Sequence, residues 1–161
     1  MNSRLIKILF TCTVGLYMAL VCLNNVTDYR SNFTFVSMVA KMEDTFSVER
    51  NGWRSVHNVF FHHLFFIVII LWEAVITTCL LVGTKNMIRK YRTTATEFKK
   101  AKSVAMYGFA LGVLLWFMVF ITIGGEWFLM WQSKNWNVQN TAFFLTACFL
   151  LFLLYLNQDD K

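Results

Sequence analysis

Four stretches of this chain are apolar for long enough to cross a lipid bilayer: approximately Leu5 to Leu23, Asn58 to Val82, Ser103 to Ile123, and Thr141 to Leu156. Crossing about 30 Å of hydrocarbon takes about 20 apolar residues at 1.5 Å each, with every backbone group bonded inside the segment. The fourth stretch is near the lower length limit. Composition agrees, since 57% of the 161 residues are hydrophobic and 15% are charged, against roughly half and a quarter in soluble domains. With no proline and 7 glycines, the chain suits long uninterrupted helices, and no internal repeat divides it. The expected fold is all-α: one integral membrane domain over 1–161, an up-and-down four-helix bundle.

Orientation follows from lysine and arginine in the short connections, because cytoplasmic loops hold the excess. The connection between the second and third spans has seven, Lys85, Arg89, Lys90, Arg92, Lys99, Lys100 and Lys102, against Glu97 alone. Adding alternate sides gives ten cations against five, which predicts both termini and the basic loop inside. These cations explain the net charge of +6, and over residues 84–102 they are expected to meet anionic lipid head groups. A docking surface for a cytoplasmic partner is the sharper alternative. Nucleic acid is not an expected partner, because no aromatic stacking platform or reading motif accompanies the charge.

The first span follows Arg4 and Lys7 and resembles a secretory signal. It is longer than a typical signal core and no small-x-small site follows, so it reads as an uncleaved anchor. Cys12, Cys22, Cys79 and Cys148 all fall within apolar runs without CxxC spacing, and read as small apolar residues rather than metal or redox ligands.

In the long first connection Phe35, Val36, Val39 and Met42 recur at helical spacing after possible caps Ser31 and Asn32, which predicts a short amphipathic helix. It should rest on the bilayer or on the outer ends of the spans, either as a packed loop or as a lid over a cavity. The third connection brings Trp127, Trp131 and Trp136 to the expected water boundary, joined by Trp53. Such a belt suits the one polar edge of indole. Glu126 follows Gly124 and Gly125 and is expected to pair with Arg54, with cation binding or capping of the aromatic segment as alternatives.

The stretches NNVTDYRSNFTFV, MEDTF, FKKAK and GGEWFLMWQSKNWNVQ together resemble the bacterial family of predicted small integral membrane proteins designated DUF2165, a domain of unknown function. GGEWFLMWQS is the most specific of them, and the resemblance covers nearly the whole chain. It implies a Gram-negative inner membrane protein, so the sequons at Asn25 and Asn32 would carry no sugar. It implies no activity.

Ionisable residues inside a span are costly and are functional candidates by default. Glu73 lies nine residues before Val82, about 14 Å from that end by helix rise. His62 precedes it by eleven residues, so the two project from nearly the same face with Phe66, Ile69 and Thr77. One reading makes Glu73 a neutral carboxyl hydrogen-bonded to a neighbouring helix, for instance near Tyr107. The other makes Glu73 and His62 a proton or cation relay, and the roughly 16 Å between them along the axis then needs bridging waters or a ligand. His57 and His63 sit at the outer boundary on other faces.

No cofactor is predicted. All three histidines lie in or beside one span, so a bis-histidine haem would require a dimer, another subunit or a methionine ligand. His62 and His63 are adjacent and face different directions, and His57 and His62 are five apart, unlike the i, i+4 pair of helical metal sites; an outer copper or zinc site recruiting Glu126 is the remaining metal reading. In the third span Gly108 and Gly112 form a small-xxx-small pattern extended by Ala105, a face for packing within the bundle or for a partner or second copy.

With no nucleophile and base pair and no phosphate loop, a non-enzymatic accessory, assembly or scaffold component of a larger membrane complex is the leading expectation. The alternative is a redox or ion-handling protein with a haem, quinone or metal pocket at the second and third helices.

Overall fold

The computed structural model describes residues 3–160, which are all-helical, with no strand among them. Its elements are α1 (Ser3–Thr27), α2 (Tyr29–Ala40), α3 (Val48–Asn51), α4 (Val59–Arg89), α5 (Ala95–Ala101), α6 (Ser103–Leu114) and α7 (Gln139–Asn157). Helix α6 continues as a π-helix over Leu115–Trp127. Four helices are long and apolar enough to span a membrane, namely α1, α4, α6 with its π-helical half, and α7. They are the four expected runs. Only the boundaries move, most at α4, whose 31 residues extend past Val82 to Arg89.

Each span sits where its sequence allows. The Asn58 side chain accepts from the Phe60 amide at 2.9 Å and caps α4. Helix α1 packs on α4, α4 on α6, and α6 on α7, which touches α1 again. Buried Met18, Ile76, Leu80, Phe109, Leu115 and Phe149 fill the space between them. Small residues set the approach of α4 to α6: a Cβ on Gly83 would lie 2.6 Å from the Cβ of Ala105. Gly108 faces Cys79 and Leu80 on α4, whereas a Cβ on Gly112 would run into the Phe149 ring on α7. The expected small-residue face is therefore occupied inside the chain, against two different neighbours.

At the basic end the chain folds back on itself. The Lys7 ammonium lies 2.8 Å from Asp160 Oδ1 and the Lys102 ammonium 2.5 Å from Asp160 Oδ2, with all three side chains about 1% exposed. Both ammonium groups also donate to the Gln158 carbonyl, at 2.6 and 2.8 Å. Arg4 donates to the carbonyls of Tyr91 and Thr93 and lies 5.1 Å from the Phe98 ring centroid. Lys102 is thus a structural cation, unavailable to lipid head groups. Lys85, Arg89, Lys90, Arg92, Lys99 and Lys100 remain exposed, Lys90 pairing with Glu97 at 3.1 Å and Lys99 with Asp159 at 3.3 Å.

At the opposite, tryptophan-rich end, the amphipathic segment forms α2. It starts at Tyr29, after Asp28, so Ser31 and Asn32 lie inside the helix and do not cap it; Asn32 Nδ2 donates back to the Asp28 carbonyl at 3.1 Å. The helix runs along the first turns of α4. Tyr29 meets His63, Ser37 meets His62, and the Val56 amide donates to the Ala40 carbonyl at 2.8 Å. The first and third connections are sewn together: Asp44 accepts from the Lys134 amide and Asn135, while Ser47 Oγ donates to Gln132 Oε1 at 2.6 Å. Met42 and Leu129 adopt positive φ, near 57° and 54°. That is uncommon for bulky residues, and burial of both side chains in one cluster with Ala40 and Phe128 holds it in place.

Candidate functional site

Glu73 is 1% exposed and faces α1. Asn25, two residues before the end of α1, donates its amide to both carboxylate oxygens at 2.8 and 3.0 Å. Tyr107, the partner anticipated from the sequence, lies 68% exposed on α6. The interhelical bond is present but joins α1 to α4 through a residue that reads, in the sequence, as part of a sequon. Thr77, one turn further along α4, has a buried hydroxyl with no hydrogen-bond partner.

His62 is fully buried, and both ring nitrogens are occupied, Nδ1 with Ser37 Oγ at 2.9 Å and Nε2 with the Val56 carbonyl at 2.7 Å. With Nε2 as the donor to that carbonyl, Nδ1 accepts from Ser37, so a neutral ring satisfies both. His62 thereby ties α2 and the approach to α4 onto the helix, and a metal or haem iron would have to break one of these bonds. His63 Nδ1 pairs with the Tyr29 hydroxyl at 2.8 Å and its ring stacks on Phe33, 4.1 Å between centroids. His57 is exposed, with Nε2 2.9 Å from Ser55 Oγ. The expected shared face of His62, Phe66, Ile69 and Glu73 on α4 is present and buried. The three histidines do not converge, and among the described residues no group of three or more His, Cys, Asp or Glu side chains gathers as metal ligands.

At the tryptophan-rich end Arg54 and Glu126 do come together, but through the backbone: Arg54 Nη1 reaches the Glu126 carbonyl at 3.5 Å, and the Glu126 carboxylate makes no ion pair among the described residues. The anticipated salt bridge is absent. Instead the Arg54 guanidinium lies 5.3 Å from Trp53 and 5.6 Å from Trp127, whose rings meet edge to face at 5.7 Å. Trp131 packs edge to face on Phe46.

A cleft lies between α4 and the π-helical half of the third span, with α2 as its third wall. It encloses 500 Å³, and its lining includes Val39, Val68, Trp72, Met118, Phe120 and Ile123. The alternative functional reading puts a pocket at the second and third spans with Glu73 and His62 in it. The cleft is there, yet neither residue lines it. Phe35, Val36 and Val39, the apolar stripe expected on α2, line it, whereas Val68, Met118 and Phe120 are indistinguishable from lipid-facing residues in a one-dimensional reading.

A family model described as predicted small integral membrane protein (DUF2165) matches residues 3–159. No curated protein and no solved structure matches the chain.

Proposed function

The chain belongs to the DUF2165 family of predicted small integral membrane proteins, and from that premise we propose that it is a non-enzymatic accessory or assembly component of a larger complex in a bacterial inner membrane. Its spans would form an up-and-down four-helix bundle with both termini and the basic connection in the cytoplasm, following the ten-to-five bias in cations. A reporter domain inserted near Lys90 should therefore be active only as a cytoplasmic fusion. Activity restricted to the periplasm would reverse the assignment.

One observation carries the accessory reading: the ionisable side chains of α4 that a relay through the second span would use are engaged in internal bonds. His62 commits both nitrogens to Ser37 and Val56, His63 one to Tyr29, and both Glu73 oxygens are taken by Asn25. Along the spans, what the chain leaves open to its surroundings is mostly apolar side chains, which suits lateral association better than turnover. Affinity purification at native expression in mild detergent should recover a larger assembly, and recovery of the lone protein would overturn the proposal.

Glu73 separates this reading from a proton or ion relay. A glutamine side chain in its place keeps one acceptor for Asn25, so Glu73→Gln is expected to cost at most about 1 kcal/mol and to leave complex recovery and phenotype unchanged. Glu73→Leu leaves the partly buried Asn25 amide without its acceptor and should cost more, about 2 kcal/mol. Loss of function in Glu73→Gln with unchanged thermal stability would replace the accessory reading with the relay, because only a relay needs a group that titrates.

A further inference from the structure

The dimensions of the cleft narrow the choice of occupant. Its lining follows α4 from Leu64 to Trp72, about 12 Å at helical rise, and one leaflet of hydrocarbon is about 15 Å deep. Phe128 and Met130 line it beyond the π-helix, toward the tryptophan-rich end. A partner's spanning helix would need a groove along the full height of the bundle, whereas an acyl chain needs the depth of one leaflet only. Leu64, Val68, Met118 and Ile123 are each between 41% and 52% exposed, so the cleft opens sideways toward the bilayer. Its walls are apolar, and water there would lack the two to four polar partners that hold it in buried sites. The volume of 500 Å³ falls within the range of small-ligand sites.

Two further observations point to a built site. The wall formed by Met118, Val119, Phe120, Ile123 and Gly124 belongs to 13 residues of π-helix, a form usually confined to single turns and concentrated at functional positions. At the rim stands Arg54, bound to the carbonyl of Glu126, which lies between the cleft residues Gly124 and Phe128 in sequence. Val56, two residues after Arg54, packs on the cluster that contains Phe128. The guanidinium has no carboxylate partner among the described residues, and its buried Nε has no hydrogen-bond partner.

We infer that the cleft binds one acyl chain of a phospholipid from the leaflet on the tryptophan-rich side, with the lipid phosphate on Arg54. The guanidinium fork matches phosphate oxygens in geometry and charge, and Trp53 and Trp127 hold it at the height where head groups lie. This site stands whether or not the protein joins a larger assembly.

The test uses the full chain in nanodiscs of a phosphate-free glycosyl diacylglycerol doped with phosphatidylglycerol carrying a mid-chain diazirine, with adducts mapped by mass spectrometry. Adducts should concentrate on Val68, Trp72, Met118 and Phe120 rather than on Leu151, a lipid-facing residue of α7 that is 64% exposed. Filling the cleft with Val68→Trp, or with Ile123→Phe from the opposite wall, should reduce cleft labelling to the level at Leu151, with folding checked by the thermal midpoint. Arg54→Gln should weaken labelling by the phosphatidylglycerol probe about tenfold and leave a diacylglycerol probe of the same chain unaffected. Uniform labelling of all exposed helix faces, or a co-purified protein whose presence protects the cleft from labelling, would overturn the site. Equal labelling by both probes in wild type and Arg54→Gln would overturn its assignment to a phospholipid.

Discussion

Replacing Gly83 with leucine is expected to destabilise the protein by about 3 kcal/mol, the upper end of what overpacking costs. A Cβ at this position would sit 2.6 Å from both the Cβ and the backbone nitrogen of Ala105 and 2.8 Å from its Cα. None of those atoms can rotate away, so α4 and α6 must separate. In lipid that separation is costly, because the helices associate through close packing and not through escape from water. The same movement would loosen Gly108 from Leu80, one turn further along the interface. Thermal unfolding of purified protein in detergent provides the measurement, with Gly52→Leu as its control, since a Cβ on Gly52 meets only the Val48 side chain, at 3.4 Å. Ala105→Gly should rescue part of the loss in Gly83→Ala by removing one of the colliding carbons. A Gly83→Leu protein that melts with the wild type would mean that α4 and α6 do not meet at this point.

The contrast between Gly83 and Gly108 shows what the sequence could reveal. Gly108 and Gly112 announce themselves by their spacing within one span, whereas Gly83, the residue that Ala105 touches, stands alone near the end of another. Contacts between helices have no signature in either helix by itself. Span number and approximate extent were legible because hydrocarbon thickness imposes a minimum run of apolar residues, a one-dimensional constraint. The π-helix was not legible: from Leu115 to Ile123 every residue but Thr122 is apolar, and a segment greasy on all sides carries no periodicity from which a wider helix could be told. Helix α5 had a visible signal, the Thr94 and Glu97 spacing of a capping box, and Thr94 Oγ1 does accept from the Glu97 amide at 3.4 Å. The seven cations of the connection carry the stronger signal, and it is one of topology.

The candidate site divides the same way. That His62, Phe66, Ile69 and Glu73 share a buried face of α4 follows from helical periodicity, and the structure has it. Which groups lie opposite does not follow from periodicity. Asn25 falls two residues beyond the expected end of the first span and reads more readily as a glycosylation sequon. Ser37 and Val56, the partners of His62, come from the connection between spans, where side-chain direction depends on a tertiary path that spacing does not encode.

The second large effect is expected at Asp160, which the sequence shows only as one of two adjacent aspartates after α7. Burial alone would raise its carboxyl, but hydrogen bonds and charge from Lys102 and Lys7 outweigh burial and hold it below the usual carboxylate range. Burial in turn lowers the Lys102 ammonium from its ordinary value, against the opposing pull of Asp160. Asp160→Asn removes the carboxylate that pairs, among the described residues, with two ammonium groups whose side chains are about 1% exposed, and leaving buried charge uncompensated costs about 3 kcal/mol. Asp159→Asn is the control: that side chain is 89% exposed and its pairing with Lys99 is solvated, so no measurable change is expected. A carboxyl with a depressed folded value contributes stability above its unfolded value, near 3.9, and loses it as pH falls toward the folded value. Wild-type thermal stability should therefore decline on acidification below about pH 4, while Asp160→Asn, already lower at neutral pH, should lack that component of the decline. If Asp160→Asn melts with Asp159→Asn at neutral pH, the closure of α1, the basic connection and the segment after α7 around one carboxylate is not what holds that end of the protein together.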